Sequence, residues 1–257
     1  MKIRAIAGLA AAAALWLGAT PTAASAYPVK QKVLIDNVLY KLGKMPTSDC
    51  EEPPVRSGDA ASVKRYIGAA MQCLEATWEQ YLGETGVSFE SPRLKFVSSS
   101  GSYCGIGRRE SSVSIYCDTG VVAYKLGKDI LEDPSDLWLM VNTAALYARH
   151  MQQLVLIGPN VDGSGMYDTK AELNERLRRY SLQADCLAGA FVKSIWPLKG
   201  RSSSDWAHVR SLLTGDAAGS ERVYGKTANV RKWANRGFSS GDAASCNTWT
   251  AVSSEVA

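Results

Sequence analysis

The chain has 257 residues, 46% of them hydrophobic and 21% charged, with a formal net charge of +4. Two of its 29 basic residues, Lys2 and Arg4, lie in a leader, so the remaining 27 face 25 acidic ones. That excess is too small for a dedicated nucleic-acid binder, which carries a strongly basic stripe, and the length suits one sizeable domain.

Residues 1–26 read as a secretory signal: Lys2 and Arg4 precede an apolar run, Ala5 to Ala19, and Ala24-Ser25-Ala26 is a small-residue cleavage site. The run is short and Ala-rich, which disfavours a permanent membrane span. The mature part, 27–257, is then expected outside the cell, secreted and not stably inserted in a membrane. Tyr27 to Met45 is an amphipathic helix candidate with Val33, Leu34, Val38, Leu39 and Leu42 on one face; Pro46 ends it, and Pro53-Pro54 marks a loop. From Asp59 to Leu82, Val63, Ile67, Met71, Leu74, Trp78 and Leu82 recur every three or four residues, the pattern of a core-facing helix.

Arg93 to Ser98, Ser112 to Cys117 and Val121 to Tyr124 alternate as short strands do and predict a small antiparallel sheet. Asp133 or Ser135 can cap a helix over 137–154, where Leu137, Val141, Ala144, Ala145, Ala148 and Met151 keep helical spacing. In Ile157 to Asp168, the residues Asn160, Asp162, Ser164 and Asp168 fall at calcium-loop offsets, but the twelfth position, which should be Glu, is Ala171. A flexible linker is the default reading there and calcium the lesser one. A second central helix runs from Thr169 to Trp196, with Arg176, Arg178 and Arg179 read as a solvated face. Shorter helices follow at Ser203 to Leu213, capped by Ser203 or Ser204, and at Ala228 to Asn235.

Six cysteines, all downstream of the leader, suit three disulfides in an oxidising compartment. Six cysteines allow fifteen pairings; spacing favours Cys50–Cys73 and Cys104–Cys117, leaving Cys186–Cys246. A cysteine zinc site is the poorer alternative, because no C-x-x-C pair exists. His208 reads as a surface or packing residue. The fold class expected is α+β, mostly helical: one domain over 27–257, with an N-terminal helical section (27–92), a core (93–257), two central helices, a small sheet and three disulfides.

Several separated pieces agree with one family. Cys104-Gly105, Tyr116-Cys117-Asp118, the 137–153 helix, Leu182-Gln183-Ala184-Asp185-Cys186-x-Ala188-Gly189, Gly215-Asp216, Arg231-x-Trp233 and Gly241-Asp242 to Thr248 resemble, in that order, the neutral zinc metallopeptidases of bacteria, in the version of secreted actinobacterial members. The resemblance spans about Ser98 to Trp249 and implies a metallopeptidase-like domain. It also implies H-E-x-x-H-H-x-Q on the first central helix, where two His at i and i+4 hold zinc and the Glu activates water.

Laid on this chain, the first His falls on Ala145, the Glu on Leu146, the second His on Arg149, and the third ligand, a Glu, on Ser181. His150 and Gln152 match the remaining motif positions. The chain has only two His, and no carboxylate or second His lies four residues from His150, so a catalytic zinc lacks the roughly three protein ligands it needs. No catalytic residue is assigned, and zinc is expected absent. Arg149 either pairs with Asp185 in the former metal hole, with Tyr147, Ser181 and Gln183 around them, or points to solvent while Asp185 bonds backbone.

The reading is a secreted pseudoenzyme, a binding or regulatory protein. It would hold a peptide, protein or cell-envelope ligand in the former substrate groove, with Tyr147, His150, Gln152, Gln183 and Asp185 as candidate groove residues. The alternatives are an active secreted hydrolase or peptidase with an unrecognised site, and a structural envelope protein.

Overall fold

A computed structural model describes residues 29–257 apart from 84, 99, 108–110, 164 and 199. The leader and Ser164 therefore lie outside the described residues.

The chain enters through a single helical turn, α1 (Lys32–Ile35), and a 3₁₀ turn at Val38–Lys41, where one longer helix was expected. Asn37 is the reason. Its side-chain oxygen accepts from the Leu39 amide, while its nitrogen donates to the carbonyls of Val33 at 2.8 Å and Val155 at 2.9 Å. A buried Asn that satisfies itself on backbone competes with helix continuation.

Helix α2 (Ala60–Leu82) begins where the Asp59 carboxylate accepts from the amides of Ala61 and Ser62, as an N-cap should. It buries the predicted stripe from Val63 to Leu82, and it packs on α4 (Asp136–Leu154). Of the two proposed caps for α4, Ser135 is the one used, accepting from the Trp138 amide.

Three strands, β1 (Arg93–Phe96), β2 (Val113–Cys117) and β3 (Val121–Lys125), form a sheet in the order β1-β3-β2. β2 and β3 are an antiparallel hairpin, but β1 runs parallel to β3, in register Arg93 with Val121 through Phe96 with Tyr124. The sheet is thus mixed, not antiparallel. The hairpin puts β3 between its neighbours, β3 is buried along its whole length, and β2 is left at an edge. A short helix that periodicity did not reveal, α3 (Lys128–Glu132), follows β3.

The 25 residues of α5 (Lys170–Ser194) start at Thr169, whose hydroxyl accepts from the Glu172 amide. α6 (Ser203–Leu212) is capped one residue earlier than expected, by Ser202 in a reciprocal box with Asp205. α7 (Thr227–Ser240) runs five residues beyond its expected end. Gly237, two residues past the expected end at Asn235, sits inside it because the backbone of α5 passes too close for a side chain; the stop is Gly241, at φ +66°.

Arg176, Arg178 and Arg179 correct a second expectation, since they are no solvated face. Arg176 is 1% and Arg179 0% exposed. Arg176 donates to the carbonyls of Asn160 and Val161, and Arg178 to those of Arg222 and Val256. Arg179 pairs with Glu175 at 2.7 Å and donates to the carbonyls of Thr248 and Ala251. Guanidinium forks satisfy backbone carbonyls that no helix or sheet reaches. The main hydrophobic core runs from Val29 to Val256, and a smaller one gathers Ile106, Cys117, Val121 and Ala123. The disulfides join Cys50 to Cys73, Cys104 to Cys117 and Cys186 to Cys246, the pairing that spacing favoured. Among the described residues no helix is long and apolar enough to cross a membrane.

Candidate functional site

A groove of about 370 Å³ lies between the sheet edge and the two central helices. Strand β2 gives it Ser114, Ile115 and Tyr116, and the turn after β2 gives the carboxylate of Asp118; α4 gives Leu146 and Arg149; α5 gives Leu177, Tyr180 and Ser181; and the segment before α7 gives Val223 and Tyr224. Three of the four positions where the resemblance calls for metal chemistry, Leu146, Arg149 and Ser181, meet here. Ala145, on the same helix, lines a separate cavity.

Arg149 donates from Nη2 to Ser181 Oγ at 2.7 Å, and its guanidinium lies 4.2 Å from the centre of the Tyr180 ring. Ser181 passes its own proton to the carbonyl of Val223 at 3.2 Å. The expected Arg149–Asp185 pair does not form, and neither does its alternative: Arg149 is held on Ser181 and Tyr180, and among the described residues no backbone group bonds the Asp185 carboxylate. Asp185 sits one turn further along α5, on the side of Ala145, and Arg149 acts on it only through space.

The residues do not fit a catalytic zinc. Methyl and isobutyl side chains at 145 and 146 donate nothing, position 149 brings a fixed positive charge, and the Ser181 hydroxyl is committed on both sides. No group of three or more His, Cys, Asp or Glu gathers among the described residues. In the proposed calcium loop, the carbonyls of Asn160 and Val161 face the Arg176 guanidinium, and the Asn160 amide donates to the Leu156 carbonyl.

Four residues expected in the groove do not line it. His150 is buried, with Nε2 2.6 Å from the carbonyl of Glu90 and Nδ1 3.0 Å from the Tyr116 hydroxyl. A carbonyl only accepts, so Nε2 carries the hydrogen and Nδ1 accepts from Tyr116. Burial lowers the pKa of His150 and favours this neutral form. Tyr147 is fully buried, set edge-on to His150. Gln152 donates to the oxygen of Gln183 at 2.8 Å and to the carbonyl of Tyr180, and Gln183 donates to Tyr40 and to the carbonyl of Cys246. These amides tie α4, α5 and the C-terminal segment together inside the core.

Asp185 stands apart. It faces a cavity of about 270 Å³ walled by Trp138, Val141, Ala145, Leu212, Leu213 and Val230, among others. Burial among apolar groups raises its pKa to about 6, against a smaller lowering by Arg149. A carboxyl whose folded pKa exceeds its unfolded value of 3.8 favours folding when protonated, and that advantage is lost as pH rises from 3.8 through 6. Asp185→Asn is therefore expected to be more stable than the parent at pH 7, by about 1–3 kcal/mol. The gain should shrink toward zero near pH 4, as read by urea melts at the two pH values.

Arg149→Ala is expected to cost about 1–2 kcal/mol, from the lost charged hydrogen bond and the lost contact with the Tyr180 ring. Thermal melts that match the parent would show that Arg149 does not brace the groove.

A second concave surface, which sequence reasoning missed, holds about 520 Å³ between β2, α3 and the start of α4; Asp129, Asp133, Trp138 and His208 line it. Its residues are scattered over four segments, so no local pattern announces it.

Comparison with known proteins places the chain beside one curated protein in two strains. It is 27% identical over 206 residues to "Uncharacterized protein YpfJ" of Escherichia coli K12, covering 72% of this chain and 71% of that protein. The same figures hold for the protein of that description in Escherichia coli O6:H1. No family model matches the chain, and no solved structure does. What the comparisons establish is a distant likeness to YpfJ over about seven-tenths of both chains.

Proposed function

We propose that this protein is a secreted, non-hydrolytic binding or regulatory protein that holds an extended peptide, from a protein or from the cell envelope, in the groove at Leu146, Arg149 and Ser181. The observation that carries this reading is the coexistence of an open groove with a disarmed chemistry. About 370 Å³ stays free along the edge strand β2, while the positions matching the ligands and general base hold Ala145, Leu146, Arg149 and Ser181. A strand at a sheet edge can accept an extended peptide as an additional strand, with side-chain pockets supplying selectivity. Arg149 offers the groove a positive charge, suited to a carboxylate on such a ligand. The three disulfides suit an oxidising, extracytoplasmic compartment.

The test joins two measurements on the mature protein. Metal analysis with a peptidase assay, run with and without chelator, should find no stoichiometric transition metal and no chelator-sensitive cleavage. Fluorescence anisotropy with a panel of labelled extended peptides should find saturable binding that Arg149→Ala weakens. Chelator-sensitive hydrolysis would overturn the reading in favour of an active hydrolase. Absence of peptide binding would leave a structural envelope role.

A further inference from the structure

The cavity at Asp185 shares no lining residue with the groove at Arg149, and its chemistry is different. Among the described residues, Asp185 is its only ionisable wall. Neither carboxylate oxygen has a hydrogen-bond or ion-pair partner among the described residues, although the group is half-buried. Asn142, the polar side chain that α4 brings to the cavity, is already committed: its nitrogen donates to Ser114 Oγ and to the Tyr124 hydroxyl, and its oxygen accepts from Ser114. Val141, Ala145, Leu212, Leu213 and Val230 make the rest of the wall apolar, and Thr214 stands at its exposed rim. Trp138 adds an aromatic surface.

A carboxylate drawn partly out of water without a donor is unfavourable and is relieved by a cation brought to it. Arg149 does not fill that role, because its guanidinium is held on Ser181 and Tyr180. Arg231, on α7 beside Val230, has its guanidinium committed to the carbonyls of Ser211 and Leu213. An indole attracts a cation as well. At about 270 Å³ the space is just below the range of drug-sized pockets and suits a short chain ending in a charged head.

We propose that this cavity is a binding site for a primary ammonium carried on a short apolar stem. The ammonium would sit against Asp185 and the stem would lie along Trp138, Val141 and Leu213. The larger acidic surface lined by Asp129, Asp133 and His208 shares Trp138 and Leu212 with the cavity. It gives the stem a way in and gives a chain bearing the amine somewhere to lie. The ammonium can come from a free diamine or from a lysine side chain of a peptide. The site does not depend on what occupies the Arg149 groove.

Isothermal titration calorimetry of the full mature chain at pH 7.5 and low salt tests this with three probes: pentane-1,5-diamine, Nα-acetyl-lysine methylamide, and the same amide acetylated on Nε. The expected result is saturable one-site binding of at least one of the two amines and none of the Nε-acetyl compound. Binding of the diamine alone identifies a free amine as the ligand, and binding of the lysine amide identifies a peptide side chain. Asp185→Asn should weaken binding at least tenfold while remaining folded by thermal melt, and Trp138→Leu should weaken it severalfold. Arg149→Ala should bind amine as well as the parent or better. The proposal is overturned if neither amine gives saturable heat, if Asp185→Asn binds like the parent, or if Arg149→Ala abolishes binding, which would move the amine to the other groove.

Discussion

Replacing Gly237 with Ala is expected to destabilise the fold by about 3 kcal/mol or more, beyond the usual cost of overpacking a core. α5 and α7 cross with their backbones in direct contact at Gly189 and Gly237. A methyl group on Gly237 would collide with the carbonyl of Cys186 and meet the Ala190 nitrogen at 2.9 Å; one on Gly189 would collide with the carbonyl of Ala234. Backbone cannot swing aside as a long side chain can, so the helices would have to separate and surrender packing along their length. Gly68 is the internal control: it is also helical, and nothing lies within 4 Å of a methyl placed there. Gly68→Ala should gain roughly 0.5–1 kcal/mol from helix propensity alone. Urea denaturation of the two variants side by side separates close approach from the intrinsic cost of glycine, and similar midpoints would refute the tight crossing.

Arg179→Ala is expected to cost about 3–5 kcal/mol, the range for breaking a buried ion pair from one side. Its guanidinium is fully buried against Glu175, and Glu175 also accepts from Ser253 at 2.9 Å. Without Arg179 a buried carboxylate loses the guanidinium paired with it at 2.7 Å, and the carbonyls of Thr248 and Ala251 lose a donor. The damage should be local as well as global, because those two carbonyls belong to the last ten residues. Limited proteolysis should therefore cut the variant after Cys246 well before the parent is cut, alongside the drop in urea midpoint. Changing Glu175 and Arg179 together to Met should recover part of the loss, since the charge penalty goes while the two carbonyls stay unpaired. A variant as resistant as the parent would remove the arginine from the account of the C-terminal segment.

Helix α2 was legible because six apolar residues hold one stripe and Asp59 caps it. The strands were legible by alternation, but the pairing of β1 with β3 was not, because strand order depends on contacts across the chain that no local period encodes. Gly237 misled for a related reason: a glycine that ends a helix and one that admits a neighbouring helix look the same in one dimension. The arginines at 176, 178 and 179 looked like solvent-facing charge, and only the folded path of the 157–168 segment, of Arg222 and of the C-terminal segment brings carbonyls to them. At the candidate site, the residue types at 145, 146, 149 and 181 could be read directly, since the side chains of alanine and leucine carry no donor atom for a metal. Whether Arg149 would turn to Ser181 or to Asp185 depended on which side of α5 each residue faces relative to α4, a matter of helix rotation. Tyr147, Gln152 and Gln183 were placed in the groove by neighbourhood, yet helical phase turns them into the core.

The bond between Cys186 and Cys246 closes a covalent ring that contains α6, α7 and the segment carrying Val223 and Tyr224. One wall of the groove is thus a loop on a tether anchored at both ends, and a single nick anywhere in it cannot release a piece. A protease-treated sample would run as one species without reductant and as two with it, so the groove wall can be cut while its flanking helices stay on the same molecule.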